Sequence, residues 1–547
     1  MKLKNFKSRF ERKVNLNTLL LTSVCRPLGE KYGDSKSVGY ELLHGQVTRA
    51  QGIFSPRSVI HHFSLEFIAH NLDSPTVVLQ YPSEQEFIRE LERGYDYVGI
   101  SFVLGTLHHM HRMSALARKH APNSKIILGG YGTVLTDEEL MPYGDFICRE
   151  EGVGFLRRLF NEPEKKMPYD HPVITNRLKI FSVPFGENGM IFAGLGCPNG
   201  CDFCCTSHFF RRQHIRLLPT GDDIFKVVMK YLAHNPGMNF TVLDEDFLLN
   251  QARARRFLEL VRESGVTLSM FVFSSIKALS QYDVKELVEM GVSGLWIGYE
   301  GKHSNFEKQK GRNPQELFKD LRDHGIVILA SMVIGFDYQS PEIIESELEE
   351  LLSLHPTFTQ TLIYGPTPGT PFYDRIMKEK RLVNYLANDR DLYYKKCTGF
   401  YGLIQHPKLS SKDLERIQEK CFRTDFEKLG PSIVRSVENW FLGYKKLYKE
   451  NNEALRRHAE RYRKDIIDSF PVFLSARLLG PTHVARKEAG RIYRQVTEFF
   501  GQPSLASRIK SWGGLVMALW TSLTLRIDWF QHPGSIRIKY RNPSWGK

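Results

Sequence analysis

Three cysteines stand close together near residue 200, in the segment GLGCPNGCDFCCTSHF. Cys197, Cys201 and Cys204 form a C-x3-C-x2-C pattern directly after an apolar run that predicts a strand. Thiolates at this spacing can bind one soft-metal centre from a single loop. A structural zinc site normally has four protein ligands, and Cys205, adjacent to Cys204, is poorly placed to reach the same centre. The pattern favours a centre with three protein ligands and one open position over a buried or zinc-bound cysteine cluster.

The cysteine loop lies in a region, from about residue 190 to 383, where short apolar runs alternate with amphipathic stretches. Segments such as QARARRFLELVRESG predict the helices between the strands. Six strand–helix units predict a partial or full parallel barrel, with its chemistry at the carboxyl ends of the strands. The predicted strands are MIFAGLG, NFTVLDEDF, LSMFVFSS, GLWIGYE, VILASMVIGF and TQTLIYGP.

The first 170 residues show a similar alternation, which predicts a parallel sheet covered on both faces. Its strands are LNTLLLTSV, TVVLQY, YDYVGISFVL and SKIILGGYG, and LHHMHRMSALARKHAP predicts a helix. Gly129, Gly130 and Gly132 follow the last of these strands, where backbone can approach a ligand closely. Open α/β sheets bind ligands at this edge. The polar, proline-rich segment 161–172 predicts a linker.

From about residue 391 the pattern changes to long helical periods without strand alternation. Residues 401–547 contain 27 Lys and Arg against 14 Asp and Glu, so they carry nearly all of the net charge of +14. A nucleic-acid patch, an anionic membrane surface or an acidic substrate would explain this charge, and so would a solvated helical face.

The C-terminal end combines basic residues with tryptophans. Between Lys510 and Arg526 lie 15 uncharged residues, short of the ~20 that span a bilayer. Trp512, Trp520 and Trp529 resemble the aromatic residues of an interfacial amphipathic segment. The alternative, which we favour slightly, is an element packed on the barrel.

Composition excludes several classes of protein. With 42% hydrophobic and 25% charged residues, the chain is predicted to be globular. No apolar run reaches the ~18 residues of a spanning helix. The start, MKLKNFKSRFERKVNLN, is charged and lacks an apolar signal core. Eight cysteines are too few for a disulfide scaffold of this size, so a reducing, cytoplasmic location is expected.

The cysteine loop resembles the signature of radical S-adenosylmethionine enzymes, which also have an aromatic residue, here Phe203, before the last cysteine. VLDEDFLLN resembles the acidic second-strand motif of the cobalamin-associated members, although Glu245 and Asp246 depart from their usual Asp-Asp-Asn-Phe. WIGYEGKHS resembles their fourth-strand motif, but Gly301 follows Glu300 where the family has serine. QKGRN, VIGFDYQSPE and YGPTPGTPFYD match later barrel segments in order.

This resemblance implies that the three cysteines hold a 4Fe-4S cluster whose open iron binds S-adenosylmethionine. Reductive cleavage of the sulfonium would give a 5′-deoxyadenosyl radical that abstracts hydrogen from an unactivated carbon, chemistry that the cofactors supply. The resemblance also implies that Phe203 and Glu300 border the S-adenosylmethionine. Ser275 is a further candidate, although an ordinary strand-end role is the favoured interpretation of it.

The ordered segments YDYVGISF, KIILGGYGTVL and FICREEG resemble the cobalamin-binding domain that precedes the barrel in one large radical subclass. The resemblance implies cobalamin contacts from Ser101, Gly129, Gly130, Gly132, Thr133, Glu151 and Gly152. The Asp-x-His-x-x-Gly loop that supplies an axial histidine in other cobalamin proteins is not in the sequence. His108, His109 and His111 fall on a predicted helix, facing solvent or satisfying packing, so no axial ligand is assigned.

These observations predict an α/β protein with three regions. Residues 1–175 form a Rossmann-like cobalamin-binding domain, 185–390 a (β/α)6 partial barrel, and 391–547 a mainly helical region with a basic, tryptophan-containing end. No catalytic side chain is assigned.

The predicted activity is methylation of an unactivated carbon by a cobalamin-dependent radical S-adenosylmethionine enzyme. The alternative keeps the cofactors but performs ring closure, ring contraction or oxidative cyclisation. A remote alternative is RNA modification or nucleic-acid binding, which lacks a recognisable RNA-binding module. Expected partners are a small-molecule or lipid substrate and an electron donor such as flavodoxin or ferredoxin, with no nucleic acid. The C-terminal region could add peripheral contact with the inner face of the membrane.

Overall fold

The computed structural model describes residues 17–28, 41–527, 529 and 534–541. The charged start of the chain, for which the sequence predicts no signal peptide, lies outside these residues. The described residues form 13 strands in two sheets and 21 α-helices, with short 3-10 and π-helical turns.

The strands are β1 (Leu19–Ser23), β2 (Thr76–Gln80), β3 (Tyr97–Ser101), β4 (Lys125–Gly129), β5 (Phe146–Ile147), β6 (Thr175–Ile180), β7 (Val183–Phe192), β8 (Asn239–Leu243), β9 (Met270–Ser274), β10 (Val292–Glu300), β11 (Val327–Ile334), β12 (Phe358–Ile363) and β13 (Ile536–Tyr540).

The helices before the C-terminal region are α1 (Phe63–His70), α2 (Glu84–Leu91), α3 (Leu107–His120), α4 (Asp137–Leu140), α5 (Gly152–Leu159), α6 (Cys205–Phe209), α7 (Gly221–His234), α8 (Gln251–Ser264), α9 (Ile276–Leu279), α10 (Val284–Met290), α11 (Pro314–Asp323), α12 (Pro341–Ser353), α13 (Pro371–Lys378), α14 (Asn384–Ala387) and α15 (Arg390–Lys396). Those of the C-terminal region are α16 (Ser411–Leu429), α17 (Ser432–Leu447), α18 (Glu453–Asp468), α19 (Phe470–Leu479), α20 (His483–Phe500) and α21 (Leu505–Arg526).

The first sheet has the strand order β13-β2-β1-β3-β4-β5. Strands β1 to β5 are parallel, and β13 pairs antiparallel with β2. The four strands predicted from the first 170 residues are β1 to β4. β1 and β2 are buried along their whole length, and β3 and β4 are buried at their three central residues, as expected of a parallel sheet covered on both faces. The predicted Rossmann-like architecture is therefore present, with one edge completed by a strand from the other end of the chain.

The second sheet has the order β12-β11-β10-β9-β8-β7-β6. Strands β7 to β12 are parallel, and β6 forms an antiparallel hairpin with β7. All six predicted barrel strands are present in the predicted order. Because β6 and β12 lie at opposite edges of the sheet, the six strand–helix units form a partial barrel. The carboxyl ends of both sheets border one cleft, since Ser101, which ends β3, and Phe192, which ends β7, line the same cavity.

The C-terminal region is mainly helical, as predicted, and continues the barrel's core. Buried side chains of α17 and α18, such as Leu447 and Ala459, belong to the same apolar cluster as the barrel strands. Two barrel helices also pack directly against this region, since α10 contacts α18 and α11 contacts α17. The exception to the helical pattern is β13. No helix in the described part of the chain is both long and apolar enough to cross a bilayer.

Candidate functional site

The cysteine loop follows β7, the first parallel strand of the barrel, and leads into α6. The backbone N–H of Cys204 donates to the carbonyl of Cys201 at 3.0 Å. The Ser207 hydroxyl donates to the Cys197 carbonyl at 2.6 Å and accepts from the Gly200 N–H at 3.2 Å. These bonds tie the two ends of the loop together, so the three cysteines lie on one compact turn at the carboxyl edge of the barrel.

The thiols of the cysteine loop are buried, and burial opposes their ionisation. Burial raises the pKa of Cys197 to about 12, and the backbone N–H of Asn199 opposes this shift. Burial also raises the pKa of Cys201, while the positive charge of Lys308 opposes it. No three His, Cys, Asp or Glu side chains in the described ranges converge as they would around a single ion. A four-iron cluster is bound through several irons, so its thiolates need not meet at one point.

An ion-pair network at the end of β8 supports this edge of the barrel. Asp244 accepts a hydrogen bond from the Arg253 guanidinium at 2.5 Å, and its carboxylate lies 3.2 Å from the His214 ring. Both members of the Asp244–Arg253 pair are almost completely buried. Burial opposes ionisation of Asp244, but hydrogen bonds from His214 and the charge of Arg253 hold its pKa below the usual value. The pair fixes the strand end beside the cysteine loop.

Asp246 connects three elements of the same edge. One of its carboxylate oxygens accepts from the Ser274 hydroxyl at 3.1 Å and from the Ser275 backbone N–H at 3.2 Å. The other accepts from the Asn199 side chain, on the cysteine loop, at 3.1 Å. The Ser275 hydroxyl itself accepts from the Ala278 N–H at 3.1 Å and thereby caps α9. The structure thus gives Ser275 a helix-capping contact, and its contact with S-adenosylmethionine stays a prediction.

Glu300, the predicted S-adenosylmethionine contact, ends β10 and is buried. Its carboxylate accepts a hydrogen bond from the ammonium of Lys308, which also lies 5.7 Å from the centre of the Phe203 ring. Gly301, which replaces the family's serine, has φ +119° and would place a Cβ atom 3.2 Å from the Glu347 carboxylate. The departure from the motif therefore has a local cause, because an L-residue is strained in this conformation.

Phe203 lies in an aromatic cluster rather than at the surface. Its ring centroid is 5.3 Å from that of Phe306 and 5.8 Å from that of Tyr364. The Tyr364 hydroxyl donates to the Asp202 carboxylate at 2.6 Å. The last barrel strand and the cysteine loop are therefore joined by both a hydrogen bond and packing.

The carboxyl edge of the first sheet borders a cavity of about 190 Å³. Five of the seven residues predicted to contact cobalamin line it, namely Ser101, Gly129, Gly130, Glu151 and Gly152. A Cβ atom at Gly129 would meet no atom within 4 Å, so the backbone there opens directly into the cavity. Gly130 has φ +88°, and a Cβ would lie 2.5 Å from the Phe102 carbonyl oxygen. Backbone thus forms part of the cavity wall, so a ligand can approach it closely.

The other predicted contacts have internal roles. The Thr133 hydroxyl donates to backbone carbonyls of Gly130 and Cys148 at 2.8 and 2.9 Å. A Cβ atom at Gly132 would lie 2.3 Å from the Phe102 ring. Glu151, although it lines the cavity, accepts from the Val153 N–H at 3.0 Å and caps α5. These residues shape the edge rather than project from it.

The three histidines for which no axial role was predicted lie on α3. His108 is exposed, and the His111 ring stacks on Tyr143 with a centroid distance of 3.9 Å. Both observations agree with the predicted solvent-facing or packing roles.

A second, larger cavity of about 710 Å³ lies between the two sheets and continues inside the barrel. Ser101 and Gly130 line its upper end, and aromatic side chains of β8 to β10 line its middle. Phe273 and Trp296 stack there with a centroid distance of 5.2 Å. Ligand sites of enzymes commonly have this size and apolar character.

Tyr131 joins these parts of the site, and the sequence reasoning missed it. It lines both cavities, and its ring packs edge-on against Phe209, with a centroid distance of 5.3 Å, just beyond the cysteine loop. Burial raises its pKa, followed by the charges of Glu245 and Cys205. Its position inside the GGYG segment was the available signal.

Lys308, Asp244 and Arg253 were also missed. Their signals are weak, because each depends on a partner that only the fold brings close. Nothing in the sequence marks Arg253, because a basic residue at the start of an amphipathic helix is common and is usually exposed.

No family model matches the chain. The chain is 21% identical over 371 residues to an uncharacterized methyltransferase of Pyrococcus horikoshii, covering 60% of this chain and 78% of the relative. It is 26% identical to the bacteriochlorophyllide d C-8(2)-methyltransferase of Chlorobaculum tepidum, covering 51% of this chain and 68% of the relative. An anaerobic magnesium-protoporphyrin IX monomethyl ester cyclase of Cereibacter sphaeroides is 22% identical over 58% of each chain.

Among solved structures, the chain is similar to TsrM from Kitasatospora setae, a radical S-adenosylmethionine methyltransferase. The structure with tryptophan and aza-SAM superposes with a TM-score of 0.54 at 13% identity, covering 82% of this chain and 99% of TsrM. A TsrM structure with cobalamin and a 4Fe-4S cluster gives a TM-score of 0.51. The predicted fold class and the resemblance drawn from the motifs are confirmed.

Proposed function

We propose that this chain, an enzyme of the cobalamin-dependent radical S-adenosylmethionine class, methylates an unactivated carbon of a small, largely apolar molecule. The observation that carries this proposal is the arrangement of two dissimilar edges around one cavity. Leu195 and Phe209, which lie on either side of the three-cysteine loop, line the smaller cavity together with Gly129 and Gly130 of the first sheet, and Tyr131 borders both cavities.

The residues present fit the implied cofactors. Cys197, Cys201 and Cys204 would hold the 4Fe-4S cluster, Glu300 would border S-adenosylmethionine, and the backbone around Gly129 would border cobalamin. When bound, these groups supply a carbon-centred radical and a transferable methyl group. The electron donor stays a prediction, with flavodoxin or ferredoxin as the expected class.

The protein's own part is positioning and the exclusion of water. The aromatic cluster of Phe203, Phe306 and Tyr364 covers the cysteine loop on one side. The Asp244–Arg253 pair holds the end of β8 rigidly, since two buried, hydrogen-bonded charges resist displacement. The apolar cavity orients the substrate and keeps water from a reactive intermediate.

The test is a reaction with methyl-labelled S-adenosylmethionine on extracts of a strain lacking this protein, analysed by mass spectrometry. A new product carrying the methyl label supports methylation. A new product without the label, together with 5′-deoxyadenosine, would support ring closure or another radical outcome, which the cyclase relatives favour. The Cys201→Ala protein is the control and should give neither product.

We further propose that α21 docks on an anionic bilayer. Its exposed residues form one apolar stripe along the helix, opposite its buried side: Leu505, Ile509, Trp512, Val516, Leu519, Leu523 and Ile527. Trp512 is 64% exposed and Leu505 76% exposed. The 22-residue helix contains no acidic residue, and Arg508 and Arg526 are exposed beside the stripe. An exposed apolar stripe with basic flanks is typical of helices that lie in a membrane interface.

The exposed apolar stripe of α21 differs from the slightly favoured prediction that this segment packs on the barrel. The helix packs through Ala518, Thr521 and Thr524 and leaves its larger apolar side chains exposed. Liposome flotation tests the proposal: the full chain should float with vesicles containing phosphatidylglycerol, and a Trp512→Glu, Val516→Glu variant should not. A Met229→Glu variant, which alters an exposed apolar residue on α7, is the matched control. Equal flotation of all three proteins would contradict membrane docking.

A further inference from the structure

The large cavity inside the barrel has an apolar middle and a polar floor. Phe271, Phe273, Trp296 and Leu329 line the middle, on strands β9 to β11. The floor lies at the amino ends of the strands, opposite the cysteine loop, because Asn239 begins β8 and Ser293 stands at the start of β10. Barrel interiors are usually filled by packed aliphatic side chains, so an open lumen with a polar end indicates a ligand.

The floor is supplied by the C-terminal region. His458, Arg461 and Asp465 lie at positions i, i+3 and i+7 of α18, and all three line the cavity. Residues at this spacing occupy one face of a helix. A helix that only closed the barrel would present aliphatic residues on this face, because ionisable groups are costly to bury.

These three side chains have unused hydrogen-bonding capacity. The Arg461 guanidinium donates to the Asn239 side chain at 2.5 Å, and no carboxylate of the described residues lies within ion-pair distance of it. Neither the His458 ring nor the Asp465 carboxylate hydrogen-bonds to another side chain in the described ranges. His458 is only 4% exposed, and burial lowers its pKa to about 3, so the ring is neutral.

We propose that this floor binds the hydroxyl-bearing end of an elongated apolar molecule. This inference rests on the proposed function and specifies the substrate class of the enzyme. A hydroxyl oxygen accepts from Arg461 and the hydroxyl proton is donated to Asp465. The apolar body then occupies the aromatic middle, and the end remote from the hydroxyl reaches the cleft beside Tyr131. The floor is thus a positioning site that selects which carbon reaches the cofactors.

Charge favours an uncharged polar end. Arg461 and Asp465 carry opposite charges, and His458 is neutral, so the floor has no net charge when empty. A carboxylate would place a second negative charge beside Asp465 in an apolar cavity, where like charges repel strongly. An ammonium would meet Arg461 in the same way. A hydroxyl satisfies both side chains without adding charge.

The experiment measures binding, and so does not depend on radical chemistry. The full-length, cofactor-loaded protein is equilibrated with the fluorescent apolar probe 1-aminoanthracene, which is then displaced by 1-dodecanol, dodecane or dodecanoate. We expect 1-dodecanol to bind about tenfold more tightly than dodecane, the gain of one hydrogen bond to a charged group. Dodecanoate should bind less tightly than 1-dodecanol.

Two variants assign the effect to the floor. Arg461→Met should remove the preference for 1-dodecanol over dodecane. The matched control, Arg457→Met, alters an arginine on the same helix that pairs with Glu453 and does not line the cavity, and it should keep the preference. Asp465→Asn, which preserves size, should tighten the binding of dodecanoate about tenfold and gives an independent result if Arg461→Met does not fold.

Equal affinity for 1-dodecanol and dodecane in the wild type, or a preference that survives Arg461→Met, would overturn the proposal. Tighter binding of dodecanoate than of 1-dodecanol would overturn the assigned substrate class. If the floor fails these tests while extracts still yield a methyl-labelled product, only this inference is lost. If 1-dodecanol binds as expected but extracts yield no methyl-labelled product, the proposed methylation is wrong.

Discussion

The two ends of the barrel differ in whether their charged side chains are paired. At the carboxyl end, Asp244 pairs with Arg253 and His214, and Glu300 pairs with Lys308. At the amino end, Arg461 has one amide acceptor and Asp465 has no side-chain partner among the described residues. The first arrangement holds atoms in place without any ligand, whereas the second is completed only by one. The pairing of charges thus distinguishes a preorganised reaction site from a binding site.

The largest loss of activity should come from substituting a cysteine of the loop at the carboxyl end of the barrel. Cys201→Ala removes one of three thiols, and we expect the iron content after anaerobic reconstitution to fall to near background and S-adenosylmethionine cleavage to fall by at least about 1000-fold. Iron assay and 5′-deoxyadenosine formation are the measurements. Cys205→Ser is the matched control and should retain both. Full cleavage by the Cys201 variant would contradict the cluster assignment.

The second largest effect should come from Gly129, at the carboxyl edge of the first sheet, where backbone borders the smaller cavity. Gly129→Leu projects a side chain into the smaller cavity, where a Cβ meets no neighbouring atom, so the fold should persist while the space for a ligand is lost. We expect hydroxocobalamin binding, followed by its absorption spectrum, to weaken at least about 100-fold. Gly237→Leu, on a loop away from the cavities, should bind normally. Unchanged binding by Gly129→Leu would place cobalamin elsewhere.

Removing a paired charge should destabilise the protein. Asp244→Asn leaves the buried Arg253 guanidinium uncompensated, which costs about 3–5 kcal/mol in the free energy of unfolding. Because the pKa of Asp244 is lowered in the folded state, its stabilisation is present above the unfolded pKa and is lost as pH falls through the folded pKa. Urea unfolding at pH 7 and at about pH 2 should therefore show a smaller difference between variant and wild type at the lower pH, because the loss begins only below the unfolded pKa of 3.8.

Removing the charge of Asp465, which has no ion-pair partner among the described residues, should stabilise the protein. Burial raises the pKa of Asp465 to about 6, followed by smaller effects of Arg461, Asp468 and Lys464. Its ionisation therefore opposes folding as pH rises above the unfolded value of 3.8, and the cost is complete above about pH 6. Asp465→Asn should raise the free energy of unfolding at pH 7.5 by up to about 3 kcal/mol, and the gain should disappear below pH 4. A variant that is destabilised at pH 7.5 would show that Asp465 is paired and would remove the contrast between the two ends.

The sequence alone determined the chemistry at the carboxyl end and the order of the elements. The cysteine spacing, the six barrel strands and the glycines after β4 are local patterns. Each depends on residues that are neighbours in the chain, so it can be read without knowing the tertiary structure. Phe203 and Gly130 could be predicted as cofactor contacts for this reason. The charge imbalance and the tryptophans of the last 147 residues also indicated a distinct region, although not which face of α21 is exposed.

Tertiary structure decided which side chains meet. Glu300 and Lys308 pair across a loop, Tyr364 bonds to Asp202 across 162 residues, and β13 joins a sheet whose other strands lie more than 380 positions earlier. The floor of the cavity depends on the same long-range placement, since Arg461 reaches Asn239 across 222 residues. A helical periodicity identifies the face that carries His458, Arg461 and Asp465. Only the packing of α18 beneath the barrel turns that face toward a cavity, because burial depends on what lies opposite a residue and not on its neighbours in the chain.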